Sequence, residues 1–264
     1  MKKLMNFILL SFFLIYGCTR ESTSTFPGGQ WIDLTYSYDE QTIYWPTAES
    51  FKLDTVFVGI TEKGYYYSSF KFSAEEHGGT HFDAPVHFGE GKNSVEKVPV
   101  EQLMGEAVVV DVTEKALSNP DYQVSIADLL NWEKEYGKIP DNSIILLYTG
   151  YGRYWPDRVK YMGTDELGTE AVEKLHFPGL HPDAAKWLST ERKINAVGLD
   201  TPSIDYGQSK FFKSHRILFE NDLTVYENVA NLDKLPPKGA WIIALPMKIK
   251  GGSGAPLRIV AWIK

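Results

Sequence analysis

The chain is poor in the features that cross-link a protein or attach it to nucleic acid. Cys18 is the only cysteine among 264 residues, so no disulfide can form within the chain and packing must hold the core. The net charge is −7 and no lysine–arginine stripe is visible, which argues against nucleic acid as a partner and against broad adhesion to anionic lipid. The Gly-x-Ser-x-Gly elbow is missing, which disfavours a serine hydrolase.

Long apolar runs are also scarce. The one at residues 7–16 follows Lys2 and Lys3 and ends at the small residue Gly17. It is too short to cross a bilayer as a stable anchor. A basic start, a short apolar stretch and a small residue before the cleavage point predict an export signal over residues 1–17.

The residue that follows this segment is Cys18, and residues 14–18 resemble a bacterial lipoprotein box. We therefore expect lipid on Cys18 and an exported protein held in the cell envelope by that lipid, on the periplasmic side or at the outer membrane. The alternative is an ordinary cleaved signal with a spare thiol. Residues 18–30 are polar and rich in serine and threonine, which predicts a flexible tether, and residues 31–264 suit one domain.

Within that domain, continuous apolar runs alternate with helical patterns, which predicts an α/β fold. Two helices are indicated, at residues 125–132 with Asp128 at the capping-box position and at residues 182–188 behind an N-terminal proline. The long segment 151–175 is polar and aromatic, and we expect it to run over the surface as a lid or an oligomer contact. The predicted buried strands are residues 107–112, 143–148, 196–200, 240–245 and 258–263.

The segment 77–87 reads HGGTHFDAPVH and contains three of the six histidines. Four of its residues occupy every second position and would share one face of an extended chain: His77, Gly79, His81 and Asp83. Imidazoles and a carboxylate on one face outline a first-row metal site. Pro85 ends regular pairing and could turn His87 back over that site. The alternative is a polar edge strand with ordinary surface histidines.

This motif resembles the signature of the metal-dependent cyclase family, which includes bacterial kynurenine formamidases and isatin hydrolases. Four further segments also resemble segments of this family and occur along the chain in the same order as in the family. They are residues 33–35, residues 198–205, His215 followed by residues 227–228, and residues 250–256. The resemblance covers residues 31–264. It implies a swivelling β/β/α domain with a barrel-like mixed sheet core, and a homodimer or homotetramer.

The resemblance also implies a metal-ligand set. His77, His81 and Asp83 would hold a first ion, Asp83 and Glu227 would bridge, and His215 would hold a second. Nitrogen and oxygen ligands without thiolate fit zinc or manganese, with one or two ions per subunit. Alternatively, His215 is a satisfied core histidine and Glu227 a surface acid.

By the same resemblance, His87 would be the catalytic acid/base and Trp45 would line the substrate pocket. Alternatively, Trp45 is a core or surface aromatic residue. The implied activity is that of a metal-dependent amidohydrolase that cleaves the C–N bond of a small aromatic amide by activated water, with an aryl formamide such as N-formylkynurenine as the leading substrate. Isatin-type ring opening is the enzymatic alternative, because Glu90 stands where many kynurenine formamidases carry a histidine. A non-catalytic exported protein that binds a small aromatic ligand is the alternative of another class.

Other polar residues have structural interpretations. His176 and His181 flank residues 177–179 and are expected to be structural. Asp200 and Asp205 surround a Thr-Pro turn and would support ligands or cap turns. The glycine-rich segment 251–254 lacks the P-loop lysine, which favours a tight turn or a pocket wall.

Overall fold

The fold is described here for residues 28–264 of a computed structural model. The predicted export signal, Cys18 and most of the predicted tether lie outside these residues. No helix among residues 28–264 combines the length and the hydropathy needed to cross a bilayer.

Twelve strands and five α-helices make up this part of the chain. The strands are β1 Gln30–Asp33, β2 Lys52–Ile60, β3 Tyr66–Ser73, β4 His81–Asp83, β5 Met104–Asp111, β6 Gln123–Val124, β7 Ile144–Tyr148, β8 Gly179–Leu180, β9 Ala196–Leu199, β10 Thr224–Glu227, β11 Lys238–Pro246 and β12 Gly254–Ile263. The helices are α1 Thr113–Ser118, α2 Ile126–Tyr136, α3 Arg158–Met162, α4 Pro182–Glu191 and α5 Lys213–Glu220.

The predicted elements are confirmed. All five apolar runs are strands, namely β5, β7, β9, β11 and β12, and the two predicted helices are α2 and α4. Helix α2 begins as its sequence indicates, because the Asp128 carboxylate accepts a hydrogen bond from the backbone N–H of Ser125 at 2.7 Å.

The main sheet closes into a barrel. Its strand order is β1-β12-β11-β5-β7-β9-β10-β4, and β4 also pairs with β12, so seven strands form a ring with β1 attached to β12. Pairing is parallel from β5 through β7 and β9 to β10, and antiparallel elsewhere. The expected α/β domain with a barrel-like mixed sheet is therefore confirmed.

Strand β7 shows how this barrel is packed. Ile144 and Leu146 belong to one apolar cluster, together with residues of β4, β11 and β12, while Ile145 and Leu147 belong to a second cluster with residues of α2, α4 and α5. Since successive side chains of a strand point to opposite faces, the first cluster fills the barrel and the second lies between barrel and helices. Both faces of β7 are buried, which explains its continuous apolar sequence.

The segment 151–175 departs from expectation. The prediction of a surface excursion is wrong for part of it, because Tyr161, Met162 and Leu175 are fully buried. They form a third apolar cluster against which Trp45 packs. The segment is polar on average, yet several of its large side chains face inward, and average polarity does not reveal that.

Strands β2 and β3 pair only with each other and form a separate two-stranded ribbon. Many of its large apolar side chains are exposed, including Ile60 at 67% and Tyr66 at 63%. This ribbon is the main exception to the burial of apolar residues in the domain.

Candidate metal centre

The site is built on the strand that closes the barrel. Glu227 lies directly opposite His81 in the antiparallel pairing of β10 with β4, so their side chains share a face. Asp83 lies two residues beyond His81 and shares that face as well. All three side chains are buried. Strand register therefore brings together residues that are 144 to 146 positions apart.

Each of the two carboxylates faces two histidines. The Nε2 atom of His81 lies 3.2 Å from Asp83 Oδ1 and 3.4 Å from Glu227 Oε2. On the other side, the Nε2 atom of His215 lies 3.3 Å from Asp83 Oδ2 and 3.1 Å from Glu227 Oε1. The arrangement is two groups of three ligand atoms that share both carboxylates, which is the pattern of a bridged pair of cation positions.

These spacings suit a metal ion. Ligand atoms held at about 2.1 Å from a tetrahedral ion lie about 3.4 Å apart. The buried Nε2 of His81 has no hydrogen-bond partner within residues 28–264, while its Nδ1 donates to the Gly79 carbonyl at 2.9 Å. That bond leaves the lone pair of Nε2 aimed at two carboxylates, an arrangement that a cation or a proton must stabilise.

The second imidazole is oriented in the same manner. The Nδ1 atom of His215 bonds to Asp205 Oδ2 at 2.8 Å, and the same carboxylate accepts the backbone N–H groups of Ser214 and His215 at the start of α5. A carboxylate behind a ligating histidine fixes the ring orientation and raises its basicity. This geometry agrees with the expectation that Asp205 supports a ligand.

The position of His77 corrects part of the sequence argument. Residues 77–80 are not an extended strand, since only His81–Asp83 form β4 and Gly79 has a φ of +58°. His77 reaches the site through a turn, and its Nδ1 lies 2.7 Å from Asp83 Oδ1. The predicted convergence of His77, His81 and Asp83 is present, but the local geometry expected to produce it is wrong.

Two residues behind His77 were missed by sequence reasoning. The Nε2 atom of His77 lies 2.9 Å from Ser253 Oγ, and that hydroxyl donates to Glu76 at 2.7 Å. The segment 251–254 is thus a wall of the site that also holds a histidine. A Cβ atom at Gly254 would come within 2.4 Å of the His77 ring, which explains the glycine there.

The electrostatics of the site follow from its buried charges. Burial alone would raise the pKa of the Asp83 carboxyl, but the adjacent His77 and His81 hold it well below its usual range. Burial alone would lower the pKa of His215, yet Asp205 and Asp83 raise it well above the usual value. The carboxylates thus favour positive charge at His81 and His215, which a bound divalent cation supplies equally well.

His87 lies beside this cluster in a different environment. It ends the short 3-10 helix Pro85–His87, and its ring stacks on that of His77 with centroids 3.8 Å apart. Burial lowers the pKa of His87 to about 4, so the ring is neutral near pH 7. One ring nitrogen also lies within 4.8 Å of ligand atoms of His77 and Asp83. His87 is placed either to move protons or to add a ligand.

A cavity opens above the cluster. Its floor contains His81, Asp83, His215 and Glu227, and Trp45 is in its wall as expected. Phe88 and Phe212 add two aromatic walls that sequence reasoning did not identify, and Trp45 lies edge-on to Phe212 with centroids 6.3 Å apart. Flat apolar walls over a polar floor suit an aromatic ligand with one polar group.

The remaining predicted residues lie elsewhere. His176 pairs with Asp121 at 2.9 Å, and His181 caps α4 by accepting the N–H of Asp183, so both have structural partners as expected. Asp200 accepts bonds from the backbone of residues 149, 150 and 152 and acts as a turn cap.

The chain is similar to known proteins in sequence and in fold. The Cyclase family model matches residues 32–206. The chain belongs to the Cyclase family. An isatin hydrolase of Roseibium aggregatum is 34% identical over 197 residues, which cover 71% of this chain and 72% of that protein. A kynurenine formamidase of Bacillus cereus is 26% identical over 238 residues, which cover 88% and 96%.

A solved structure agrees with these Cyclase relatives. Isatin hydrolase A from Labrenzia aggregata, bound to benzyl benzoate, superimposes with a TM-score of 0.79 at 31% identity, covering 89% of this chain and 93% of that one. The likeness therefore extends over nearly the whole described domain.

Replacement of His81 by alanine tests the metal centre. We expect His81→Ala to bind zinc or manganese at least about 100-fold more weakly, because removal of a ligand leaves two buried carboxylates undercompensated. Isothermal titration of the chelator-treated protein measures this affinity. His176→Ala removes an exposed histidine outside the cavity and should bind as the parent does. Equal affinity of all three proteins would rule out this centre.

Proposed function

We propose that this protein is a metal-dependent amidohydrolase that cleaves the C–N bond of a small aromatic amide. The observation that carries the proposal is the pair of carboxylates, Asp83 and Glu227, each turned toward both His81 and His215 below an aromatic-walled cavity. The named relatives, an isatin hydrolase and a kynurenine formamidase, support it.

The residues have distinct roles toward the metal. His77, His81 and Asp83 would hold one zinc or manganese ion, and His215 with Glu227 would hold a second, with both carboxylates shared. A divalent ion in such a site lowers the pKa of water and polarises a carbonyl oxygen. Asp205 and Ser253 would orient the histidines by bonding the ring nitrogens that face away from the site.

Proton movement falls to His87. Hydrolysis adds water across the amide, so one proton must leave the attacking water and one must reach the departing nitrogen. A neutral imidazole near pH 7 can accept the first and return it to the second. His87 adjoins the cluster and lines the cavity, which is the position this transfer requires. The same feature disfavours the alternative of a binding protein without catalysis.

Two substrate classes fit the cavity. The leading one is an aryl formamide such as N-formylkynurenine. The second is a cyclic aryl amide of the isatin type, which the 34% identity to an isatin hydrolase favours. Glu90 is exposed, and the family resemblance implies a histidine near this position in many kynurenine formamidases, which weakens the transfer of the formamide substrate to this chain. In both classes a flat ring carries the scissile bond, as the walls formed by Trp45, Phe88 and Phe212 require.

A substrate panel tests the proposal. The metal-loaded full chain should release the amine or the ring-opened acid from aryl formamides or from isatin, and linear aliphatic amides should react much more slowly because they leave the aromatic walls unfilled. Chromatography of the products measures both reactions. An absence of turnover with every aromatic amide, at full metal content, would contradict the amidohydrolase assignment.

Replacement of His87 separates proton transfer from metal binding. We expect His87→Gln to retain its metal and to lose turnover by about 10²–10⁴-fold, the usual worth of general acid–base help. Elemental analysis and steady-state kinetics are measured on the same sample. Metal content that falls with the rate would make His87 a ligand and would move the proton-transfer role to another group.

We further propose that Cys18 carries lipid and holds the protein in the cell envelope. Stable anchoring requires more than one acyl chain at this terminus, since a single chain binds membranes only marginally. Cys18→Ala should therefore move the protein from the membrane fraction to the soluble fraction on cell fractionation. Retention of the variant with the membrane would place the anchor elsewhere.

A further inference from the structure

The cavity above the metal centre has a buried floor and an exposed mouth. The histidines and carboxylates of the floor are buried, whereas Thr47 and Glu75 line the same cavity and are exposed, so they form its mouth. The aromatic walls formed by Trp45, Phe88 and Phe212 are half-buried and lie between the two. A flat ligand with its amide at the floor therefore extends along these rings toward Glu75.

The mouth carries one negative charge. Among residues 28–264, the cavity lining has a single carboxylate outside the metal cluster, that of Glu75, and it has no lysine or arginine. The Oε1 atom of Glu75 accepts the backbone N–H of Glu49 at 3.1 Å, and no cation in this part of the chain forms an ion pair with it. An exposed glutamate is ionised near pH 7, so this charge is available to a ligand.

The charge of Glu75 acts on the wall of the cavity. Tyr44 is buried in that wall, and its ring lies so close to Gly78 that a Cβ atom there would come within 2.0 Å of it. Burial raises the pKa of the Tyr44 hydroxyl to about 12, and the negative charge of Glu75 contributes to this increase. A charged group on a ligand at the mouth is subject to the same Coulomb interaction.

We propose that Glu75 makes the protein selective for aromatic amides that carry a positive charge on the side of the ring away from the scissile bond. The carboxylate attracts a cationic substituent at the mouth and repels an anionic one. The aromatic walls favour the same sign of charge, because a cation is attracted to the face of a ring such as that of Trp45. The position of the amide rests on the proposed function, but the attraction of a cation to the mouth does not.

This selectivity narrows the substrate class. An aryl formamide can carry a side chain with an amine that extends along the walls to the mouth. The unsubstituted isatin ring has no charged group to present to Glu75. The charge at the mouth therefore favours a ring with a cationic side chain over a bare bicyclic ring.

Two probes of equal shape isolate the effect of charge. They are formanilides whose ring carries either a trimethylammoniomethyl group or the uncharged 2,2-dimethylpropyl group, in the meta and the para position. Neither group has a lone pair that could bind the metal. The ratio of kcat/KM for the cationic probe to kcat/KM for the neutral probe is measured with the metal-loaded full chain. Changes in fit or turnover that affect both probes equally cancel in this ratio.

Replacement of Glu75 by glutamine removes the charge and keeps an oxygen that can accept the N–H of Glu49. We expect Glu75→Gln to lower the ratio about three- to fivefold, which is the size of one partly solvated charge interaction. Glu75→Asp should keep most of the parent ratio. The control is Glu62→Gln, which removes an exposed glutamate between β2 and β3, outside the cavity lining, and should change the ratio by less than about 1.5-fold.

Two outcomes would overturn the selectivity. They are an unchanged ratio in Glu75→Gln and an equal fall in Glu62→Gln. A measurement on the parent alone needs no substitution, since about 0.5 M salt should lower its ratio toward that of Glu75→Gln, and a ratio that does not respond to salt would contradict a charge effect.

Failure of the proposed function is distinguishable from failure of the selectivity. A metal-loaded parent that hydrolyses neither probe contradicts the amidohydrolase assignment. The ratio is then taken from the dissociation constants of the same two probes, measured by titration calorimetry. A ratio that falls in Glu75→Gln and not in Glu62→Gln would support a cation-selective mouth, and a ratio equal in all three proteins would overturn it.

Discussion

The two buried carboxylates of Asp83 and Glu227 are the constraint on which the rest of this structure depends. Each is turned toward histidines on two sides, and such charges cost several kcal/mol when they lack compensation. Strand β4, which carries His81 and Asp83, pairs with β10 on one side and β12 on the other. Because β4 closes the barrel, the strand pairings that close the fold also bring the residues of the site together. A cation bound there would therefore stabilise the folded barrel directly.

Two histidines of one cavity have pKa values that their surroundings shift in opposite directions. The rings of His87 and His215 have centroids 6.0 Å apart. His215 has Asp205 behind it and carboxylates in front, which raise its pKa despite burial. His87 is half-buried against His77 and Phe88, no carboxylate among residues 28–264 bonds to its ring, and burial lowers its pKa to about 4. Groups whose environments drive their pKa values apart are suited to different tasks, here cation binding and proton transfer.

Local sequence patterns predicted the elements and part of the site. Continuous apolar runs identified five barrel strands, and alternation correctly placed His81 and Asp83 on one face. Alternation failed at His77, because Gly79 has a positive φ and breaks the extended chain. No periodicity relates His215 to Glu227, which lie on α5 and β10. Pairing of β10 with β4, across more than 140 residues, sets the position of Glu227, while Asp205 orients His215 on α5, and both residues were identified through family resemblance.

The ribbon marks a different limit of local patterns. The sequence analysis did not predict its two strands, and alternation of apolar and polar residues would equally describe a sheet buried by its own chain. Only the tertiary structure shows that the apolar face is exposed. The contact from Phe72 through Phe51 to Tyr38 is equally invisible in sequence, since 13 to 34 positions separate these aromatic residues. Tyr38 in turn bonds the backbone on both sides of Gly79, whose carbonyl orients His81. The segment that orients His81 therefore also contacts the base of the ribbon, through the rings of Tyr38, Phe51 and Phe72.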